Sequence, residues 1–236
     1  MRLVTWNAGR GQFSKKAPWI EHLQADVAVI QEIARPRTAQ AGVCWFGVNP
    51  NQGVAVLARP PYTVTPLPEN PIAPKYFVPF QIQGPTAFTL FAVWTLGDQD
   101  LKYVRAVTAS VELYDEIFKS GPVVLMGDFN SNAIWDRDHP NHLNHSAMVT
   151  KLSQRGIESA YHRSRGVLHG EEREHTFYLQ RKQEKHYHID YCFVPVTWLE
   201  SLKHVDVGSH AAWCKASDHT PLLVELRPLK KHNLSS

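Results

Sequence analysis

Two β-sheets packed face to face, with helices on their outer surfaces, is the architecture this sequence predicts. Short apolar runs recur along its 236 residues, most of them four to eight residues long, rich in Val, Phe, Trp or Tyr and bounded by Gly, Pro, Asn or Asp. Many of these runs are apolar at every position, so each strand needs a partner sheet on one face and cover on the other. Helical periodicity is rarer and interspersed among the strands, which suits helices that cover sheets.

In order, the strands read as Leu3 to Trp6, Val27 to Ile30, Val43 to Val48, Val54 to Ala58, Phe88 to Trp94, Val123 to Met126, Ile189 to Val194 and Pro221 to Leu226. Lys16 to Gln24 reads as a helix between the first two. One longer helix is expected from Leu101 to Ser120, because Val104, Val107, Val111, Tyr114 and Phe118 recur at spacings of three and four while Lys102, Arg105, Glu112 and Glu116 face elsewhere. Ser146 to Arg155 supplies a third. The stretch from Pro60 to Pro79 holds seven prolines, which exclude both a helix and a central strand. It reads as an ordered loop wrapping a sheet edge, or as a lip facing substrate. No internal repeat or linker divides the chain, so residues 1–228 read as one domain and 229–236 as a polar tail.

With 43% hydrophobic and 20% charged residues the composition is that of a soluble globular protein. No apolar stretch approaches the roughly 20 residues of a membrane helix. The amino terminus enters a strand at once, without the apolar segment and cleavage site of a signal peptide, so a cytoplasmic monomer with no membrane partner is expected. Cys44, Cys192 and Cys214, widely spaced among apolar or aromatic neighbours, read as buried free thiols rather than a disulfide framework or a zinc site. The net charge of +3 permits a polyanionic partner. Residues 151–185 hold eight Lys or Arg against five Glu, an excess as large as that of the whole chain, and make a candidate flank for one.

Polar residues gather where the strands end. The first ends in Asn7, the second in Gln31-Glu32 and a later one in Gly127-Asp128-Phe129-Asn130; another carries His188-Ile189-Asp190-Tyr191, and Ser217-Asp218-His219 precedes the last. Each alone is an ordinary turn. Together they offer carboxylates, carboxamides and a His that can pair with an Asp, the inventory for a hard divalent cation and an activated water. In-line attack on a phosphodiester needs that set. The centre is already anionic, so a carboxylate-bound cation offsets the charge that builds on its oxygens. Carboxamides and a protonated His then bond phosphate oxygens without adding negative charge, and an Asp behind the His fixes its tautomer.

In this order, Thr5-Trp6-Asn7, Gln31-Glu32, Gly53-Val54-Ala55-Val56-Leu57, Gly127-Asp128-Phe129-Asn130, Ile189-Asp190-Tyr191 and Ser217-Asp218-His219 resemble the motifs of the endonuclease/exonuclease/phosphatase superfamily, over about residues 1 to 227. The resemblance implies a four-layered α/β sandwich, two packed mixed β-sheets flanked by helices, with the site at one end of the sheets. It implies Glu32 as the main Mg²⁺ carboxylate, with Asn7 and Asp218 near the same ion. Asp128 would position or deprotonate the attacking water, Asn130 would hold a phosphate oxygen, and His219 would contact the scissile phosphate with Asp190 orienting it. The activity so implied is Mg²⁺-dependent phosphodiester hydrolysis, with Mn²⁺ as a substitute, by an endo- or exonuclease acting on DNA, as in DNA repair. The alternatives are a phosphoesterase for a small-molecule or lipid-headgroup phosphate, and a non-catalytic nucleic-acid-binding relative.

The chain departs from the family pattern at two places. Many relatives end the strand before the long helix in His or Tyr; here Trp94 takes that place, and an indole donates one hydrogen bond but relays no proton. Either the leaving group needs little help, or Lys102 or His188 supplies the proton. The acidic residue that abasic-site endonucleases usually carry two positions past the Asn is missing, and Ala8-Gly9-Arg10 stands there, with Arg10 a candidate substrate contact. His139, His142 and His145 recur every three residues, but Pro140, Asn141 and Asn144 make this a loop entering a helix. A surface or substrate-side stretch is expected rather than a metal cluster, with His142 as the substrate contact. Trp135 reads as a ring that stacks on substrate or packs under its loop. Thr176, in His175-Thr176-Phe177-Tyr178, stands where relatives line the substrate side.

Overall fold

Alternate residues of each apolar run enter different cores, and that division builds the layers. The computed structural model describes residues 1–97 and 101–228; the predicted polar tail lies outside the described residues. One six-stranded sheet contains β1 (Arg2–Asn7), β2 (Val27–Ile33), β3 (Val43–Asn49), β4 (Gln52–Ala58), β13 (Leu202–Val207) and β14 (Leu222–Leu226), in the spatial order β13-β14-β1-β2-β4-β3. The other contains β5 (Thr63–Pro66), β6 (Phe77–Gln83), β7 (Phe88–Trp94), β8 (Val123–Asp128), β9 (Ile157–Ser159) and β12 (Asp190–Pro195), in the order β5-β6-β7-β8-β12-β9. Both are mixed: β1 is parallel to β2 and antiparallel to β14, while β7 is parallel to β8 and β8 antiparallel to β12. A short ribbon of β10 (Phe177–Tyr178) and β11 (His186–Tyr187) stands apart from both.

Leu3, Val27 and Val29 of the first sheet meet Leu90, Ala92, Trp94, Val124 and Met126 of the second in the central core. Their neighbours Val4, Trp6, Ala28 and Ile30 point the other way, onto Phe13 and Ile20 of α1 (Phe13–His22) and Trp213 of α6 (His210–Trp213). On the far side, Phe91, Val93, Val123 and Leu125 pack against α2 (Val104–Leu113), α3 (Asp115–Ser120) and α4 (His145–Ser153). The predicted two sheets with outer helices are therefore found as four layers. No described helix is long and apolar enough to cross a membrane.

Two expectations about elements need correction. The Pro-dense stretch is not only a loop: it contains edge strand β5 and the start of β6, including Pro79. Pro79 lies one residue past the last pair with β5, and its carbonyl, on the same side as its nitrogen, accepts from Leu67 N–H at 3.0 Å. The N–H that proline lacks would have faced Leu67, beyond the last assigned pair with β5, so only one bond at the end of that ladder is forgone, and the ring is tolerated. The single helix from Leu101 to Ser120 is two, broken at Tyr114 (φ −103°, ψ 20°), whose hydroxyl accepts from Asn70 N–H at 2.9 Å. Strand β13 was hidden by its exposed Lys203, His204 and Asp206, and α5 (Ala160–Arg165) by its brevity.

Gly127, next to last in β8, has φ +155°, and a Cβ built on it would overlap the Val93 carbonyl oxygen of β7. Because that neighbour is backbone, relief requires parting two central strands. Gly127→Ala is expected to destabilise the fold by at least about 3 kcal/mol, read as a lowered denaturant midpoint.

Candidate active site

β1 and β2 run parallel, so Asn7 and Gln31 stand side by side at their carboxyl ends. Across the sandwich, Asp128 at the end of β8 is paired directly with Asp190 at the start of antiparallel β12. β1 packs on β8 and β12, so polar ends from both sheets meet at one end of the molecule. A bridge between Phe177 and His219 holds the segment before β14 at the same end.

Asp128 is the hub. It is 1% exposed, and its Oδ2 accepts from Asn7 Nδ2 at 2.9 Å and Asn130 Nδ2 at 3.1 Å, while Oδ1 accepts from the Asn130 N–H at 2.9 Å. The Asn7 amide also donates to Glu32 Oε1 at 3.2 Å. Glu32 Oε2 accepts from Gln52 Nε2 at 3.1 Å and lies 3.6 Å from Arg10 Nε. Glu32 and Asn130 hold positive φ values of 54° and 45°, a conformation that costs non-glycine residues about 1–3 kcal/mol and persists where the surroundings over-determine it.

Gly9 explains how Asp218 reaches this group. It has φ +60°, and a Cβ there would meet Ser217 Oγ at 2.6 Å and Asp218 Oδ1 at 2.9 Å; Ser217 Oγ in turn donates to Asn7 O at 2.8 Å. Asn7 and Glu32 are joined directly, and Asp218 lies beside Gly9, two residues past Asn7; two carboxylates and a carboxamide, with no thiolate or imidazole among them, are donors of the kind that fit a hard divalent cation such as Mg²⁺. Asp128, Asp190 and His219 also bring one ligand atom each within 4.8 Å of one another. That group is better described as an oriented imidazole: His219 Nδ1 donates to Asp190 Oδ2 at 2.9 Å, and Nε2 stands 3.9 Å from Asp128 Oδ2.

Burial, and after it the charge of Asp190, raises the Asp128 carboxyl to about 7. Burial alone would lower the His219 imidazole, but the charge and hydrogen bond of Asp190 outweigh it and bring it to about 9. Near neutrality His219 is a cation and Asp128 is poised between its two forms, the condition that suits a group exchanging a proton.

Two predicted substrate contacts are corrected. Trp94 is 4% exposed; strand alternation sends it, with Leu90 and Ala92, into the central core, where it packs on Tyr76 at 4.7 Å. Thr176 is fully buried, and its hydroxyl accepts from the N–H groups of Ile189 and Asp190 at 3.1 and 3.0 Å. Both support the site from beneath and neither can face a ligand. His188 is buried too, lowered to about 4 chiefly by burial, and so cannot supply a proton at neutral pH. His142 is exposed in the turn before α4 and shares no hydrogen bond with the cluster. His145, expected on the surface, is 1% exposed, because its ring turns inward from the first turn of α4 to meet Ser131 and His169.

Trp135 stands half-buried at the end of a series of rings: His219 to Phe177 at 4.6 Å, Phe177 to Tyr187 at 6.3 Å, and Tyr187 to Trp135 at 5.1 Å. Sequence reasoning missed Tyr187 as a member of this series, and it missed Gln52 as a partner of the acidic group. It also missed Thr95, whose carbonyl accepts from Asn130 Nδ2 at 2.9 Å. None carries a signal of its own, since each is defined by a neighbour distant in sequence.

The architecture is shared with solved structures. A 3'-5' exonuclease, NExo, from Neisseria meningitidis superposes with a TM-score of 0.69 at 22% identity, covering 96% of this chain and 99% of that one. A structure of 3' phosphatase NExo from Neisseria bound to product DNA hairpin gives 0.67 at 21%, with 96% and 99% covered. An AP endonuclease from Archaeoglobus fulgidus gives 0.64 at 18%, again covering 96% and 99%. Among curated proteins, none matches the chain in sequence. The family model for the Endonuclease/Exonuclease/phosphatase family matches residues 4–219, which include every residue placed in the acidic group. With the sandwich and its polar end in view, the chain belongs to the endonuclease/exonuclease/phosphatase family.

Proposed function

We propose that the protein is a divalent-cation-dependent nuclease that hydrolyses phosphodiester bonds of DNA, with Mg²⁺ or Mn²⁺ held by Glu32, Asn7 and Asp218. The observation that carries this reading is the buried Asp128, which joins that oxygen set through the Asn7 amide and stands 3.9 Å from the Asp190-oriented His219. When bound, the cation would supply charge stabilisation to the phosphoryl oxygens. Asp128 takes the proton of the attacking water, and cationic His219 holds a non-bridging oxygen. Asn130 acts by holding Asp128: both hydrogens of its amide are donated, to Thr95 O and Asp128 Oδ2, so a phosphate oxygen is reached only if the Thr95 bond is exchanged for it. Glu32→Gln is expected to raise the Mg²⁺ concentration for half-maximal activity about 10- to 100-fold, measured by Mg²⁺ titration of the rate.

Support for DNA comes from the ribbon beside His219. Phe177, Tyr187 and Trp135 offer sequence-tolerant stacking faces, and Arg181, Lys182 and Lys185 stand exposed on the connection between β10 and β11. The basic excess of residues 151–185 is partly used internally: Lys151, Arg155 and Arg165 pair with Glu112, Asp115 and Glu174. The ribbon therefore carries three of the five others, exposed Arg163 and Arg173 being the remaining two. A salt series over duplex DNA, single-stranded DNA and a small phosphodiester tests the assignment. KM for DNA should rise steeply with salt, as counterion release requires, and Tyr187→Ala should raise it further. Equal salt dependence for the small ester, or faster turnover of it than of any DNA, would favour a small-molecule phosphoesterase.

A further inference from the structure

A second polar cluster, sharing no residue with the first, lies where α5 and the segment after it meet α4. His162 Nε2 is 2.9 Å from Glu172 Oε1, and the His162 and His169 rings lie face to face with centroids 3.5 Å apart. One ligand atom from each of His162, His169 and Glu172 falls within 4.8 Å of the others. Each of the three is also held from behind. His162 Nδ1 meets Ser159 Oγ at 2.7 Å; His169 Nδ1 meets His145 Nε2 at 3.0 Å, and His145 Nδ1 meets Ser131 Oγ at 3.0 Å. Glu172 Oε1 accepts from Gly170 N–H at 3.0 Å and Asn132 Nδ2 at 3.1 Å. Outer hydrogen bonds of this kind orient metal ligands and fix their tautomers.

The cluster holds more imidazole than its single carboxylate can serve. His188 is 2% exposed; its Nδ1 donates to Glu174 O at 2.8 Å, its Nε2 is buried without a hydrogen-bond partner, and its ring lies 5.9 Å from that of His162. Buried nitrogens without partners call for an explanation, and two imidazoles facing each other beside a carboxylate gain most from a shared cation.

We propose that His162, His169 and Glu172 bind a zinc-type transition-metal ion, with His145 as the outer partner that orients His169. Two imidazoles and a carboxylate suit Zn²⁺, whereas the all-oxygen set of Asn7, Glu32 and Asp218 suits Mg²⁺; the chain thus separates a borderline-soft site from a hard one. Parallel stacked rings cannot both aim a lone pair at one ion, so binding turns His169 out of the stack. His169 stands in the turn after α5, next to exposed Leu168 and to Gly170, whose φ is +96°. Asn132, which donates to Glu172, also donates to His188 O at 2.9 Å and Tyr191 OH at 3.2 Å and lies two residues past Asn130. Loading therefore stiffens the catalytic turn without contributing to the chemistry.

The test uses the full chain stripped with a chelator and titrated with Co²⁺ as a spectroscopic probe, then with Zn²⁺. The expected result is one equivalent of Co²⁺ with the intense visible absorption of a tetrahedral site, displaced by Zn²⁺ and accompanied by a rise in Tm. Glu32→Gln should leave this absorption intact. His169→Ala should abolish it, and Glu172→Gln, which preserves size, should weaken Zn²⁺ binding by about 100-fold. A folded wild type that takes up no stoichiometric Co²⁺ would overturn the proposal. So would an absorption that survives both His169→Ala and Glu172→Gln but disappears in Glu32→Gln.

Discussion

Asp128→Asn is expected to lower kcat/KM for phosphodiester hydrolysis by at least about 1,000-fold. The asparagine keeps the size of the side chain, so Asn7 and Asn130 stay close to their places, but it cannot accept the proton of an attacking water. Folding should be little affected. The raised carboxyl shows that ionised Asp128 is held at a cost in the buried site, so removing its charge relieves one penalty while one amide hydrogen bond is lost, and Tm should move by only a few degrees. A large loss of rate with a small change in Tm separates a chemical role from a structural one.

His219→Gln is expected to lower kcat by about 100- to 10,000-fold and to change the shape of the pH profile. On the proposed mechanism, activity requires Asp128 without its proton and His219 with one. The rate should rise with pH as Asp128 ionises at or below about 7, since a bound cation can only ease that ionisation, and fall as His219 loses its proton near 9. These are limbs of one interacting pair rather than two independent groups. In His219→Gln the alkaline fall should vanish, and the acid limb should move upward because a cation that favours ionised Asp128 is gone. The sign for stability is separate. His219 is raised above its unfolded value of about 6.5, so its pairing with Asp190 contributes fully below that pH and is lost as pH rises through about 9. A wild type whose denaturant midpoint did not fall across that window would contradict the buried ion pair.

Much of this was legible in the sequence, for a physical reason. Strands buried on both faces must be apolar throughout, so a polar residue at their end, such as Asn7, Glu32 or Asp128, stands out against them. Parity then decides what lies in the site and what lies beneath it. Trp94 sits at a strand end like the others, yet alternation with Leu90 and Ala92 sends it into the central core. Thr176 is next to an aromatic that does line the site, Phe177, and faces the opposite way to hold Asp190. The residues that escaped notice are those whose meaning comes from long-range contact. Gln52 opens an ordinary hairpin strand, and only folding brings its amide to Glu32. His145, His162, His169 and Glu172 come from two helices and a turn with no shared period, so their convergence has no sequence signature.

The site unites oxygen donors and His219 from the first sheet and the segment leading into its strand β14 with Asp128 and Asp190 from the second, and the proposed function is metal-dependent phosphodiester hydrolysis. Time courses of the wild type on 5'- and 3'-labelled duplex and single-stranded DNA, with Mg²⁺ and then with excess chelator, test that claim most directly. Cleavage that requires the cation, stops on chelation and is restored by added Mg²⁺ is the predicted result, and the two labels distinguish stepwise removal from internal scission. A folded wild type that cleaves neither DNA nor any other phosphodiester with Mg²⁺ or Mn²⁺, or cleavage that continues unchanged under chelation, would contradict it.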